Sequence, residues 1–320
     1  MAGFELYAPR AANHRRTWTW ATIVLGFVFI LLGQIAAAIP IGFQRAMAIR
    51  ANPAVAHTPV HIDAAPFMLW SNVILIALVL LWMMTFERRK PSAIGLGTGV
   101  LKFARGYIVG GVLFGLVAGG VYLAGGFQVN GPGFWQAPTA AGLVPLLFFV
   151  GTFMVQGSGE EVVMRGWLMQ IISSRHGLMW GVVINSVLFG FLHFFNEKPA
   201  PDLYMGVFNI MLYAGFVSLY AAKEKSLWGV CGIHAAWNYV QGPGVGLDVS
   251  GIKLGVAPLF VALGDKPGAP EWLTGGNFGP EASVATTIVM GLGVVWMVMR
   301  GLPKQTDSFP VQTTETGVSN

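Results

Sequence analysis

Six side chains in this sequence combine types and spacings that can do chemistry on a carbonyl group. Glu160 and Glu161 are adjacent, with Arg165 four residues after the second; His193 follows Phe189 by four, and His234 precedes Asn238 by four. On a helix, Glu161 and Arg165 form an i,i+4 pair with the acid first, the better order for an ion pair. Glu160 is rotated about 100° from Glu161, so it stays out of that pair. His234 and Asn238 lie one above the other on a single face, and Phe189 lies one turn below His193 and packs beneath its ring. A carboxylate outside the ion pair, two imidazoles and an amide are the inventory for activating a water and stabilising an oxyanion.

Taken singly, each group also has a structural reading. The Glu161–Arg165 pair neutralises two charges that are expensive in lipid. A lone His or Asn in a bilayer serves as hydrogen-bonding glue between helices. Cys231, three residues before His234, suggests a metal pair but reads better as a buried free thiol. The conjunction of groups is what argues for chemistry, and spacing alone does not assign separate tasks to His193 and His234.

The elements that must position these groups follow from composition. The chain has 320 residues, 54% hydrophobic and only 10% charged, with a mean hydropathy of +0.63. A soluble domain carries roughly 25% charged residues. An ordinary soluble enzyme, a disordered chain and a nucleic-acid binder with a basic face are therefore excluded. The single Cys231 rules out an intrachain disulfide and a zinc site built from several thiolates. The expected fold is all-α, a polytopic transmembrane bundle of about eight spans. They are Thr19–Pro40, Pro66–Phe86, Tyr107–Phe127, Leu143–Ile172, Met179–Phe195, Leu203–Ala222, Leu227–Gln241 and Ser283–Leu302.

The chemical groups fall on the fourth, fifth and seventh spans. At about 1.5 Å per residue, Glu160 lies roughly 18 Å deep, His193 about 21 Å, His234 about 10 Å and Asn238 about 16 Å. All are inside a hydrocarbon core about 30 Å thick, at depths that allow one shared cavity.

With the amino terminus inside, the cytoplasmic segments hold Arg10, Arg15, Arg16, Arg88, Arg89, Lys90, Lys102, Arg105, Arg175, Lys223, Lys225, Arg300 and Lys304. The opposite side holds only Arg45, Arg50, Lys198, Lys253 and Lys266. This bias places both termini in the cytoplasm. Residues 1–18 form the amino-terminal segment, 19–302 the membrane domain and 303–320 a polar tail expected to be disordered. A Gly/Pro-rich stretch, 242–282, forms an outer loop or lid. Arg15 and Arg16 before the first span and Ala36–Ala38 within it resemble a signal peptide, but the apolar run exceeds the usual h-region of about 7–15 residues. The span is therefore read as retained. Gly111, Gly115 and Gly119 in the third span have the spacing for close helix packing.

Three motifs in order on successive helices, EExxxR (Glu160 to Arg165), FxxxH (Phe189 to His193) and HxxxN (His234 to Asn238), resemble the CPBP intramembrane proteases. This family is also called the CAAX protease and bacteriocin-processing, or Abi, family, and it includes the type II CAAX prenyl endopeptidase. The resemblance covers Leu143–Gln241, with every motif position filled. The segment Thr274–Glu281 is similar to bacterial members.

The resemblance implies an endopeptidase in which Glu160 activates water with help from His193. His234 and Asn238 stabilise the oxyanion, and Glu161, Arg165 and Phe189 support the site. It implies a peptide or membrane-protein substrate in a bacterial cytoplasmic membrane, with the lipid bilayer as the other partner and no nucleic acid. It does not set an oligomeric state. A metal-free glutamate mechanism is expected, with no cofactor. If zinc is used, Glu160, His193 and His234 are its ligands, since two His and one Glu form a known catalytic set, although no HExxH occurs. The alternatives are a non-catalytic scaffold or bacteriocin-immunity factor, and a proton-coupled transporter.

Overall fold

The computed structural model describes residues 4–58 and 62–304; the expected polar tail lies outside the described residues from 305 onward. The apolar runs fold as helices because lipid offers no partners for free backbone groups and a helix pairs its own. In order these are α1 (Thr19–Ala51), α2 (Ala64–Thr85), α3 (Val100–Leu123), α4 (Ala140–Glu161), α5 (Met169–His176), α6 (Leu178–His193), α7 (Pro201–Glu224), α8 (Trp228–Tyr239), α9 (Glu271–Thr274) and α10 (Val284–Met299).

Five stretches are long and apolar enough to cross a membrane: α1, α2, α3, the run Ala140–His176 and α7. The chain is thus a multi-pass membrane protein. Of the eight expected spans, of which Leu227–Gln241 is already short, three are shorter helices: α6 and α10 have 16 residues each and α8 has 12. Two boundaries also move. α1 continues past Pro40 to Ala51, since a helix tolerates the one hydrogen bond a proline removes. The fourth span is α4 and α5 joined by a π-helical turn, Val162–Leu168, all seven residues of which are buried. A second π turn, Val240–Gly244, follows α8. Such turns are rare and cluster at functional sites.

α8 sits at the centre, packed against α3 on one side and α4 on the other. Its contact with α3 corrects the expected glycine pattern. A Cβ on Gly115 or Gly119 would meet nothing within 4 Å, and one on Gly111 only the tip of Val240. The close approach is made one position earlier in the helix turn. A Cβ on Gly106 or Gly110 would strike the carbonyls of Gly229 and Ile233, and one on Gly232 would strike that of Phe103. The spacing identified the right helix but the wrong face.

Residues 4–17 are not a loose leader to the bundle. Phe4 N donates to Ser173 O at 2.9 Å and Arg15 N to Glu87 O at 3.1 Å. Glu87, fully buried, accepts from Thr17 Oγ1 at 2.6 Å and from Trp167 Nε1 at 3.2 Å. Tyr7 donates its hydroxyl to the Arg165 carbonyl at 3.3 Å. At the other end of the bundle, 242–282 is ordered too. Strand β1 (Phe127–Pro132) pairs antiparallel with β2 (Val261–Asp265), with Phe127 opposite Asp265.

Candidate active site

Glu160, His193, His234 and Asn238 all line one cavity of about 460 Å³, bounded by α1, α2, α4, α6, α7 and α8. The helices come close enough to share it partly through Gly157, where a Cβ would press on Ala235 N at 3.0 Å and on His234 Cβ at 3.1 Å. Only a residue without a side chain lets α4 lie this near the His234 turn.

The two adjacent glutamates have separate surroundings. Glu161 is fully buried and accepts from Arg165 Nη1 at 3.1 Å, with the arginine also fully buried. The same Oε1 accepts from His234 Nδ1 at 2.9 Å. Glu160 keeps a quarter of its side chain exposed, and its Oε2 lies 3.7 Å from His234 Nε2. It is not bare, because Oε1 accepts from Gln156 Nε2 at 2.6 Å. Among the described residues Glu160 Oε2 has no hydrogen-bond partner.

The two histidines, which spacing could not separate, differ in what holds them. His193 Nδ1 lies 2.8 Å from the carbonyl of Phe189. A carbonyl only accepts, so Nδ1 carries the proton and the neutral ring has a bare Nε2 that can accept one. His234 Nδ1 faces a carboxylate, so it also carries a proton. Its Nε2 donates only when the ring holds both protons, and Glu160 and Glu161 on either side compensate the charge of that form.

Phe189 does more than sit beneath His193. Its ring lies 4.8 Å from that of His193 and 6.2 Å from that of His234, edge-on to the latter. The Arg165 guanidinium stacks 4.3 Å from its centroid, an arrangement that favours a desolvated cation. Arg165 Nε further donates to Ser218 Oγ at 3.4 Å, and Asn185 Nδ2 donates to the same hydroxyl at 2.9 Å.

Several of these residues escaped the sequence reading. Gln156 lies four residues before Glu160 on the same face, and Asn238 Nδ2 donates to its Oε1 at 2.9 Å. A glutamine at i−4 in an apolar run was the available signal. Ser218 and Asn185 carried none, being small polar residues on helices without motifs. Glu281, from the segment before α10, also lines the cavity and accepts from Ser250 N at 2.6 Å. Burial pushes its carboxyl up to about 7, against the pull of hydrogen bonds from Ser250 and Gln241.

Among the described residues no three His, Cys, Asp or Glu side chains converge to hold a metal ion. Both Nδ1 atoms are committed, one to a backbone carbonyl and one to Glu161, which leaves the two Nε2 atoms for the chemistry of the site.

Residues 142–240 match the family model described as type II CAAX prenyl endopeptidase Rce1-like. Among curated proteins none matches the chain. The matched stretch runs from the first turn of α4 to just past the end of α8 and contains every motif residue named above. The similarity to the CAAX protease (CPBP) family covers this stretch, under a third of the chain, which carries Glu160, His193, His234 and Asn238 into the cavity.

Proposed function

We propose that the protein is an intramembrane endopeptidase that hydrolyses peptide bonds in the α4–α6–α8 cavity with a glutamate-activated water. The observation that carries this reading is Glu160, whose Oε2 has no hydrogen-bond partner among the described residues and whose side chain is a quarter exposed in a cavity that His193, His234 and Asn238 also line. Oε2 takes a proton from water as the oxygen attacks the scissile carbonyl carbon, and the bare Nε2 of His193 orients that water. The Asn238 amide and the doubly protonated His234 ring donate to the oxyanion, where preorganised donors in a dry site are worth most. Glu160 then returns its proton to the leaving amine as the C–N bond breaks. Glu161 and Arg165 hold His234 in register.

In this reading α6, α8 and α10 cross the membrane together with the five long helices, giving eight crossings and both termini in the cytoplasm. The Lys/Arg distribution supports that orientation, and the resemblance of the motifs and of Thr274–Glu281 to bacterial members supports a bacterial inner membrane as the setting. The substrate is a peptide or a membrane-protein segment that reaches the cavity from the bilayer.

The test is cleavage of a peptide library by detergent-purified protein beside Glu160→Ala and His193→Ala. The reading expects turnover in the wild type and a loss of at least about 100-fold in both variants. A folded Glu160→Ala protein that cleaves like the wild type, or that keeps the cellular phenotype, would point to a scaffold.

A further inference from the structure

We infer that Gln156 is a positioning residue that selects the basic oxygen of Glu160 and sets the orientation of the Asn238 amide. The inference rests on the hydrolase reading above and concerns how the two halves of that chemistry are held in phase.

The argument starts from which atoms can donate. A carboxylate accepts and cannot donate, so the Gln156 atom 2.6 Å from Glu160 Oε1 must be the NH₂ nitrogen. The Gln156 oxygen then necessarily faces the other way, toward α8. An amide oxygen accepts only, so the Asn238 atom 2.9 Å from it must in turn be its NH₂ nitrogen. Direction thus passes from a charge on α4 through one amide to a second amide on α8. Gln156 is 7% exposed and Asn238 5%, so water is not freely available to stand in for either bond, and a flipped amide would leave polar atoms unpaired.

Two consequences for the reaction follow. Glu160 Oε1 is occupied, which leaves Oε2 as the oxygen free to take the water proton. Asn238 is held with its nitrogen on the Gln156 side, and its second N–H is the donor this inference assigns to the oxyanion. Without Gln156 the carboxylate can rotate and the Asn238 amide can turn over, presenting an acceptor where the transition state needs a donor. Both losses fall on the transition state and not on substrate binding.

The test measures kcat and KM on a cleaved peptide for wild type, Gln156→Met, Asn238→Ala and the double variant, with thermal unfolding of each. Met keeps the volume and removes both hydrogen bonds. The inference expects kcat for Gln156→Met to fall by roughly 10- to 100-fold with KM within about twofold. It also expects the double variant to lose clearly less than the product of the single losses, because the two residues act as a unit. A kcat within about threefold of wild type, a KM effect at unchanged kcat, or multiplicative losses in the double variant would overturn it. Should Gln156→Met not fold, the isosteric Gln156→Glu sets an acceptor against Glu160 and is expected to lose kcat at least as far. Failure of both to fold would mark Gln156 as structural and overturn the inference. A wild type inactive on every peptide, or an active Glu160→Ala, would overturn the hydrolase reading instead. An active wild type with an inactive Glu160→Ala and an unaffected Gln156→Met would overturn this inference alone.

Discussion

His234 Nδ1 and Arg165 Nη1 meet at one atom, Glu161 Oε1, at 2.9 and 3.1 Å. The ion pair that sequence spacing placed within one helix is therefore also the anchor of a histidine from another. A residue read as charge neutralisation doubles as the device that fixes a ring in the cavity wall.

Arg165→Met should destabilise the detergent-solubilised protein by about 3 kcal/mol, because it leaves the fully buried Glu161 with only the His234 ring against its charge. Adding Glu161→Gln to that variant should recover part of the loss. Chemical unfolding followed by tryptophan fluorescence would check both. A double variant no more stable than Arg165→Met alone would contradict the pairing argument.

The α3–α8 interlock predicts opposite outcomes for two glycines in the same helix. Gly110→Ala should cost about 1–3 kcal/mol, since its methyl meets the Ile233 carbonyl. Gly115→Ala should be neutral or stabilising by up to about 1 kcal/mol, since nothing lies within 4 Å and alanine is the better helix former. Melting temperatures of the pair decide the matter; equal shifts would contradict the assigned face.

Glu281 predicts a pH dependence of stability. Its carboxyl is pushed up to about 7 in the folded protein, against an unfolded value near 4.3. The folded state therefore binds the proton more tightly. The associated stability is fully present below the unfolded value and is lost as pH rises through about 7, by at most about 4 kcal/mol. Glu281→Gln keeps an acceptor for Ser250 N and removes the titration. Its melting temperature should fall less than that of the wild type between pH 5 and pH 8. Parallel curves for the two proteins would count against a protonated Glu281.

The proposed glutamate mechanism routes no step through a metal, so peptide turnover should survive exhaustive chelation. Metal analysis should find well under one zinc per chain. A stoichiometric zinc whose removal abolishes cleavage, and whose return restores it, would refute the metal-free mechanism.

Much of the site was legible because intramembrane charge is rare enough to be conspicuous. Glu160, Glu161, Arg165, His193 and His234 could be found from their cost in lipid alone, and 3.6-residue periodicity placed Arg165 against Glu161 and Phe189 beneath His193. Gln156 was not found because an uncharged amide in an apolar helix carries little hydropathy signal, although its i−4 relation to Glu160 was there to be read. The π turn Val162–Leu168 was invisible for another reason: its residues repeat no pattern that separates a π turn from the α-helix on either side. Arg89 shows the limit of counting charges by segment. It reads as part of a solvated basic cluster, yet it is 2% exposed, 3.6 Å from Glu5 and beneath the folded amino-terminal segment. Burial of that kind depends on residues 4–17 docking, which no local pattern announces.

The continuous run from Ala140 to His176 has a mechanical consequence. Its 37 residues reach roughly 55 Å at helical rise, nearly twice the thickness of the hydrocarbon slab. Such a rod must lean or protrude. Since Glu160 rides on it a little past the midpoint, the height of the acid relative to the headgroups is set by that inclination, and so by the thickness of the lipid around it.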